Sequence, residues 1–372
     1  MTAIPLLDLK AQLSTYRAEA LEAMVRVMDS QEFILGAEVD RFEAALAAYA
    51  DVGHAIGMSS GTDALLAALM ALEVGPGDEV VTSTFSFFAT AGVVARLGAR
   101  PVFTDIDPET FNVTEAGLRA ALGPRTRAVI PVHLFGQLAD LGDFVTEQGR
   151  CALIEDSAQS LGGLLHGRMN GHHGDMATVS FFPSKNLGGF GDGGAVLTRD
   201  AALAEKLRVI RVHGSKPKYL HHVVGGNFRI DALQAAVLAV KLPHLDVWAE
   251  GRRRNAARYD VRLAEAGLVE RGLIRPPVVG PGVRHVYNQY VVRAERRDAL
   301  QKHLTAHGIG TAVYYPLPLH LQPCFRALGH GPGDFPYAER AAAEVLALPV
   351  YPELPEASLD RVVDALVDFY RV

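Results

Sequence analysis

Cysteine is nearly absent from this chain. Cys151 and Cys324 are the only two, too few for a disulfide framework, and the expected compartment is the cytoplasm. Positive charge is also short, with 36 Lys and Arg against 42 Asp and Glu for a net charge of -6. That balance lacks the basic footprint of a nucleic-acid-binding protein. The one basic cluster, Arg252-Arg253-Arg254, reads as a solvated helix face, with a phosphate contact as the other reading. No apolar run approaches the ~18 residues that a membrane span needs. The first residues carry neither a charged region nor a long apolar stretch, so no signal peptide is expected. The pairs His172-His173 and His221-His222 lack the i, i+4 spacing of a helical metal site, and no metal is expected. Repeats, low-complexity tracts and disordered linkers are missing as well.

What remains is an ordinary globular composition, 49% hydrophobic and 21% charged over 372 residues, long enough for two or three domains and a buried site. Short β-rich runs alternate with helical patterns from about residue 50 to 240. Strands are expected around 79–82, 100–104, 128–132, 152–155, 177–181 and 195–198, with helices such as 63–72 and 89–97 between them. That alternation predicts an α/β domain around a mainly parallel sheet, with ligands at the carboxyl ends of the strands. A helix from Asp231 stops near Pro243, and a long polar helix follows from about Asp246. The division falls there: 1–245 as a large domain carrying the N-terminal segment, and 246–372 as a smaller α+β domain. The latter contains a strand over 289–293, a helix over 297–307 and a closing amphipathic helix spaced by Leu359, Val362, Val363, Leu366 and Phe369.

Two neighbouring strands deliver the chemistry. One ends in Glu155-Asp156-Ser157-Ala158-Gln159, and the next leads into Ser180-Phe181-Phe182-Pro183-Ser184-Lys185. A lone loop lysine is ordinarily surface charge, and at its unperturbed pKa of about 10.4 it is a poor base and nucleophile. Desolvated or covalently engaged, it becomes useful. A lysine strand beside a carboxylate strand is what pyridoxal phosphate (PLP) requires: Lys185 to hold the cofactor as a Schiff base, Asp156 to keep a proton on the pyridine nitrogen. Gln159, one turn on, is placed to donate to the phenolic oxygen. Ser60-Gly61-Thr62-Asp63 opens a helix and serves either as a plain cap or as a phosphate site built from free N–H groups and a hydroxyl. Within Thr84-Phe85-Ser86-Phe87-Phe88-Ala89-Thr90, one aromatic can stack on a ring, although core packing is the ordinary role of a Phe. The run Gly188 to Gly194 does not follow a first strand into a helix as a dinucleotide fingerprint does, and reads as a turn into the next strand.

These segments, together with Ile4 to Leu9, Phe33 to Gly36, Gly75 to Val80, Gly226 to Asp231, Tyr315 to His320 and Gly333 to Pro336, resemble the DegT/StrS group of PLP-dependent nucleotide-sugar aminotransferases over nearly the whole chain. The resemblance implies PLP fold type I: a three-layer α/β/α large domain with a mainly parallel sheet, plus a smaller α+β C-terminal domain. It implies Lys185 as the covalent anchor and proton shuttle, Asp156 on the pyridine nitrogen and Gln159 on the phenolic oxygen. Gly61, Thr62 and Ser180 match phosphate ligands, and Phe87 matches the ring-stacking position. Asn227 matches a residue that reaches the phosphate from a neighbouring subunit, which implies a homodimer with shared active sites. Arg229, Tyr314 and His320 lie in motifs on the sugar or glutamate side.

The stretches 180–185, 191–194 and 219–222 are similar to those of enzymes that aminate a 3-keto nucleotide sugar, UDP- or dTDP-linked. The implied reaction takes an amino group from L-glutamate to a keto nucleotide sugar by ping-pong chemistry. Two alternatives share the scaffold: a sugar dehydratase, whose relatives carry histidine where Lys185 stands, and a non-catalytic regulatory protein, in which loss of Asp156 or Lys185 is expected.

Overall fold

The computed structural model describes residues 3–145 and 151–371. Three helices, α1 (Leu9–Leu13), α2 (Arg17–Ser30) and α3 (Ala37–Tyr49), precede an alternation of strands and helices. It runs β1 (His54–Met58), α4 (Gly61–Ala71), β2 (Glu79–Ser83), α5 (Ala89–Arg96), β3 (Arg100–Thr104), α6 (Glu115–Ala121), β4 (Thr126–Ile130), β5 (Ala152–Asp156), the short β6 (Leu164–Leu165), β7 (Met176–Ser180) and β8 (Gly194–Thr198). Helices α7 (Ala201–Ile210), α8 (Ala232–Lys241) and α9 (Leu245–Glu265) follow. The rest comprises β9 (Ile274–Arg275), β10 (Val283–Arg284), β11 (Tyr290–Ala294), α10 (Arg297–Ala306), α11 (Pro336–Glu344), β12 (Val345–Leu348) and α12 (Glu356–Tyr370).

Seven strands form one sheet in the order β1-β8-β7-β5-β4-β2-β3. All run parallel except β8, which is antiparallel to both of its neighbours. The strands read as continuous apolar runs because both faces are covered. Successive residues point to opposite faces: Val80, Ile130, Ile154, Met176 and Val196 pack with α4, α5 and α7. Their neighbours Ala177, Val179, Ala195 and Leu197 pack with α2, α3 and α8, and Val81, Val129 and Leu153 with α6. The result is the expected three-layer architecture. A three-stranded antiparallel sheet, β12-β11-β9, lies beyond it.

Long helix α9 joins the two cores. Leu245 at its start belongs to the large core, whereas Tyr259 and Leu263 are buried with Tyr290, Leu304, Leu359 and Leu366 in the small one. Of the predicted stripe on α12, Leu359, Val362, Val363 and Leu366 are buried and Phe369 packs at the margin. Ile4 joins the small core through a bridge to Ile309, and β10 returns to pair with β6. Among the described residues no helix is long and apolar enough to cross a membrane.

The outermost strand β1 is fastened by a buried ion pair. Glu43 on α3 accepts from the Gly57 N–H at 2.7 Å and from the Arg211 guanidinium, which also donates to the Gly57 carbonyl at 3.2 Å. Removing the cation alone strands a buried carboxylate. Arg211→Met is therefore expected to lower the urea midpoint by the equivalent of about 3–5 kcal/mol. A change of less than about 1 kcal/mol would place the pair among those that contribute little.

Candidate active site

Because β8 runs antiparallel, its first residue lies at the same sheet edge as the last residues of β1, β5 and β7. Loops carrying Ser60, Asp156, Ser180 and Gly194 therefore meet at one edge. Close backbone approach is enforced by glycine: a Cβ on Gly194 would sit 2.4 Å from the Ser60 carbonyl carbon, and one on Gly61 would sit 2.7 Å from the Ser180 Cβ. Above them opens a cavity of about 570 Å³, lined by Gly61, Thr62, Phe87, Asp156, Gln159, Ser180 and Lys185, and on its far side by Gln289, Tyr314 and Tyr315. Segments before and after α9 thus each supply a wall.

Lys185 leaves the turn after β7, whose shape is set by the bond from its own N–H to the Phe182 carbonyl at 2.8 Å. The side chain is half-buried and keeps some surface toward the cavity. Burial pushes its pKa down to about 8, against the pull of the Asp156 charge in the other direction. Asp156 is buried at the end of β5. Its Oδ2 accepts from the Thr90 hydroxyl at 2.7 Å and its Oδ1 from the Ala158 N–H at 3.3 Å. Burial raises its pKa, and these bonds together with Lys185 and His133 offset only part of the rise. A desolvated carboxylate short of positive charge is a fit partner for a cationic N–H donor.

Neighbouring Glu155 points to the other face and has the opposite fate. Its Oε1 accepts from the N–H groups of Gly171, His173 and Gly174 at 2.9, 3.1 and 3.0 Å, and its Oε2 meets His133 Nε2 at 3.0 Å. His133 Nδ1 accepts from the Ala139 N–H at 3.0 Å, so the ring proton sits on Nε2. Burial pushes Glu155 up, but these bonds bring its pKa below the ordinary carboxylate value.

Gln159 is committed at both ends, its Oε1 to the Phe135 N–H at 2.7 Å and its Nε2 to the Tyr315 hydroxyl at 3.1 Å. Ser60 caps α4 by accepting from the Asp63 N–H at 3.0 Å. The preceding first-turn N–H groups of Gly61 and Thr62 are free for an anion. Phe87 is exposed, with its ring 6.3 Å from that of Tyr315. These residues fit PLP on two counts: a helix N-terminus beside Ser180 for the phosphate, and a buried carboxylate with a half-buried amine for the ring.

Three predicted residues lie outside the cavity lining of this single chain. Asn227 and Arg229 sit in bridges to Val212 and Met58, and the Arg229 Nε is buried without a partner. His320 is buried behind the wall, its Nδ1 2.7 Å from the Thr84 hydroxyl and its Nε2 3.2 Å from Glu339. Sequence reasoning missed Tyr315, Gln289 and the Ser86–Thr90–Asp156 hydroxyl chain, in which Ser86 and Thr90 lie 3.0 Å apart. Thr90 stands one turn beyond Phe87, and that spacing was the available signal. The i, i+4 histidine spacing does occur at His303 of α10 and His307, which caps that helix, close to Asp368 of α12. There His303 Nε2 lies 3.1 Å from the Ala365 carbonyl, and His307 Nδ1 lies 2.9 Å from the His303 carbonyl.

The sequence pattern of the family described as "DegT/DnrJ/EryC1/StrS aminotransferase family" matches residues 14–367. The chain is 51% identical over 370 residues to a pleiotropic regulatory protein of Geobacillus stearothermophilus, covering 99% of each. It is 44% identical over 365 residues to the UDP-N-acetyl-3-dehydro-alpha-D-glucosamine 3-aminotransferase of Acidithiobacillus ferrooxidans, covering 97% of this chain and 96% of that one. Among solved structures, DesV of S. venezuelae in complex with a ketimine intermediate superposes with a TM-score of 0.95 at 42% identity, over 100% of both chains.

In cofactor-free protein, amine-selective labelling of Lys185, followed by mass spectrometry, is expected to rise with pH through an inflection near 8. An inflection near the ordinary value of about 10.4 would mean that the ammonium is hydrated.

Proposed function

The chain belongs to the DegT/DnrJ/EryC1/StrS aminotransferase family, and from that premise we propose that it moves an amino group from L-glutamate to the C3 carbonyl of a UDP- or dTDP-linked keto sugar. It is a PLP-dependent aminotransferase. The observation that carries the reading is a partly desolvated amine, Lys185, and a buried carboxylate, Asp156, on one cavity that also holds the free N-terminus of α4. The names of two relatives that act on UDP-linked 3-dehydro or 3-oxo sugars, and of one transaminase named for a dTDP-linked 3-amino sugar, support the substrate class.

When bound, PLP supplies an electron sink for the negative charge that develops beside the reacting nitrogen. Asp156 holds a proton at the ring nitrogen; its raised proton affinity suits that task. Lys185, poised near neutrality, takes and returns the proton that moves during transfer. Gly61, Thr62 and Ser180 would hold the phosphate, Phe87 would cover the ring, and Gln159 would donate to the phenolic oxygen through the Nε2 hydrogen not given to Tyr315. Asn227 would act in the site of a second copy, so the working unit is a homodimer with shared sites, each chain divided near residue 245. Arg229, Tyr314 and His320 belong to the substrate side, Tyr314 directly and His320 by holding the Thr84 loop.

A regulatory role is the second reading, on the strength of one relative's name. It gives no reason for a half-buried lysine and a buried carboxylate on one cavity. A dehydratase is disfavoured by the presence of Lys185 itself.

Addition of L-glutamate to the cofactor-loaded protein is expected to replace the visible absorbance band with a shorter-wavelength one and to release 2-oxoglutarate in equal amount. An unchanged band would remove glutamate as donor, and no band at all after PLP addition would overturn the whole reading. Lys185→Ala is expected to abolish turnover, whereas Asp156→Asn should lower kcat by about 10²–10³ with the fold intact by circular dichroism.

A further inference from the structure

One buried cation takes no part in the chemistry above. Lys241, the last residue of α8, is 2% exposed. Among the described residues no carboxylate pairs with it. Its Nζ donates to the Gly188 carbonyl, three residues beyond Lys185, and lies 5.2 Å from the ring centre of Tyr16 and 5.7 Å from that of Trp248. Burial pushes its pKa down to about 8. A buried ammonium is costly unless compensated, and an apolar side chain would fill the same space without that cost. The compensation here is one carbonyl, two aromatic faces and the negative end of α8.

The carbonyl belongs to a tightly folded turn. A Cβ on Gly188 would sit 2.2 Å from the Pro183 carbonyl oxygen, and the Gly189 N–H donates to Phe181 at 2.8 Å. A second bond from the same helix holds the turn further along: Gln234 Oε1 accepts from the Phe190 N–H at 2.7 Å. Helix α8 therefore grips the lysine-bearing turn at two points, and Tyr16, immediately before α2, closes over the first.

We propose that Lys241, held between Tyr16 and Trp248, is a positioning residue that fixes the turn carrying Lys185 through the Gly188 carbonyl, with Gln234 as its companion. This rests on the aminotransferase reading. The test compares Lys241→Met, Lys241→Arg and Gln234→Leu with the unaltered protein. In cofactor-free Lys241→Met, the labelling inflection of Lys185 is expected to move upward by about one unit toward its ordinary value. The loaded variant should lose about tenfold in kcat, with KM for the amino donor changed less than about threefold. Lys241→Arg, which keeps donor and charge, should recover most of both. A Lys241→Met protein that loses thermal stability while keeping the Lys185 inflection and kcat would overturn the proposal. If that variant is insoluble, Gln234→Leu decides by the same inflection: an upward shift supports the clamp and no shift overturns it. Unaltered protein that binds PLP but does not transaminate would sink the functional reading alone, since the labelling inflection is read without turnover.

Discussion

Partial withdrawal from water of two opposite charges, the half-buried Lys185 ammonium and the buried Asp156 carboxylate, governs this molecule. Each is pushed toward its neutral form by burial; the Asp156 charge opposes this at Lys185, while Asp156 is helped first by the Thr90 hydroxyl and the Ala158 N–H and then by Lys185. In water the lysine would be protonated and inert, and the carboxylate would hold no proton for anything. Keeping both poised requires walls on every side. The large core cannot supply them alone, because the carboxyl edge of a sheet is open. Gln289, Tyr314 and Tyr315 from the C-terminal part complete the enclosure.

That requirement explains the departures from a simple parallel sheet. Strand β8 runs backwards and brings Gly194 beneath Ser60, so that the start of α4 reaches Ser180. The basic cluster expected on a solvated face is only partly so: Arg253 and Arg254 are exposed, but Arg252 is buried on α9 and donates to the carbonyls of Tyr287 at 3.3 Å and Val350 at 2.8 Å. It fixes the ends of the segments that lead to the second wall. Helix α9, rooted in both cores, gives that wall a fixed place.

Much of this was legible beforehand. Strands buried on both faces leave an apolar run whatever their partners, so β2 to β5, β7 and β8 were readable one by one, whereas the two-residue β6 was not, and the glycine run 188–194 was separable from a nucleotide loop by its place after the lysine strand. Asp156 and Lys185 stood out because one ends a strand and the other closely follows the next. Tyr315, Thr90 and Lys241 did not. Their meaning comes from partners 156, 66 and 53 residues away, and no local period encodes such distances. His320 shows the converse. Its motif points toward the substrate, but folding turns its ring onto Thr84 and Glu339.

Glu155 and Asp156 are adjacent acids of one strand, sent to opposite faces by the pleat. One is saturated by three backbone N–H groups and a histidine, and the other is left proton-hungry in the cavity. Their difference is one of parity and not of residue type. Evolution can exchange many side chains around this edge, but the loss or gain of one residue within β5 would trade the two acids' environments at a stroke. Substrate range in such a scaffold can therefore drift through substitutions along the exposed rim, while the length of a single strand stays under lock.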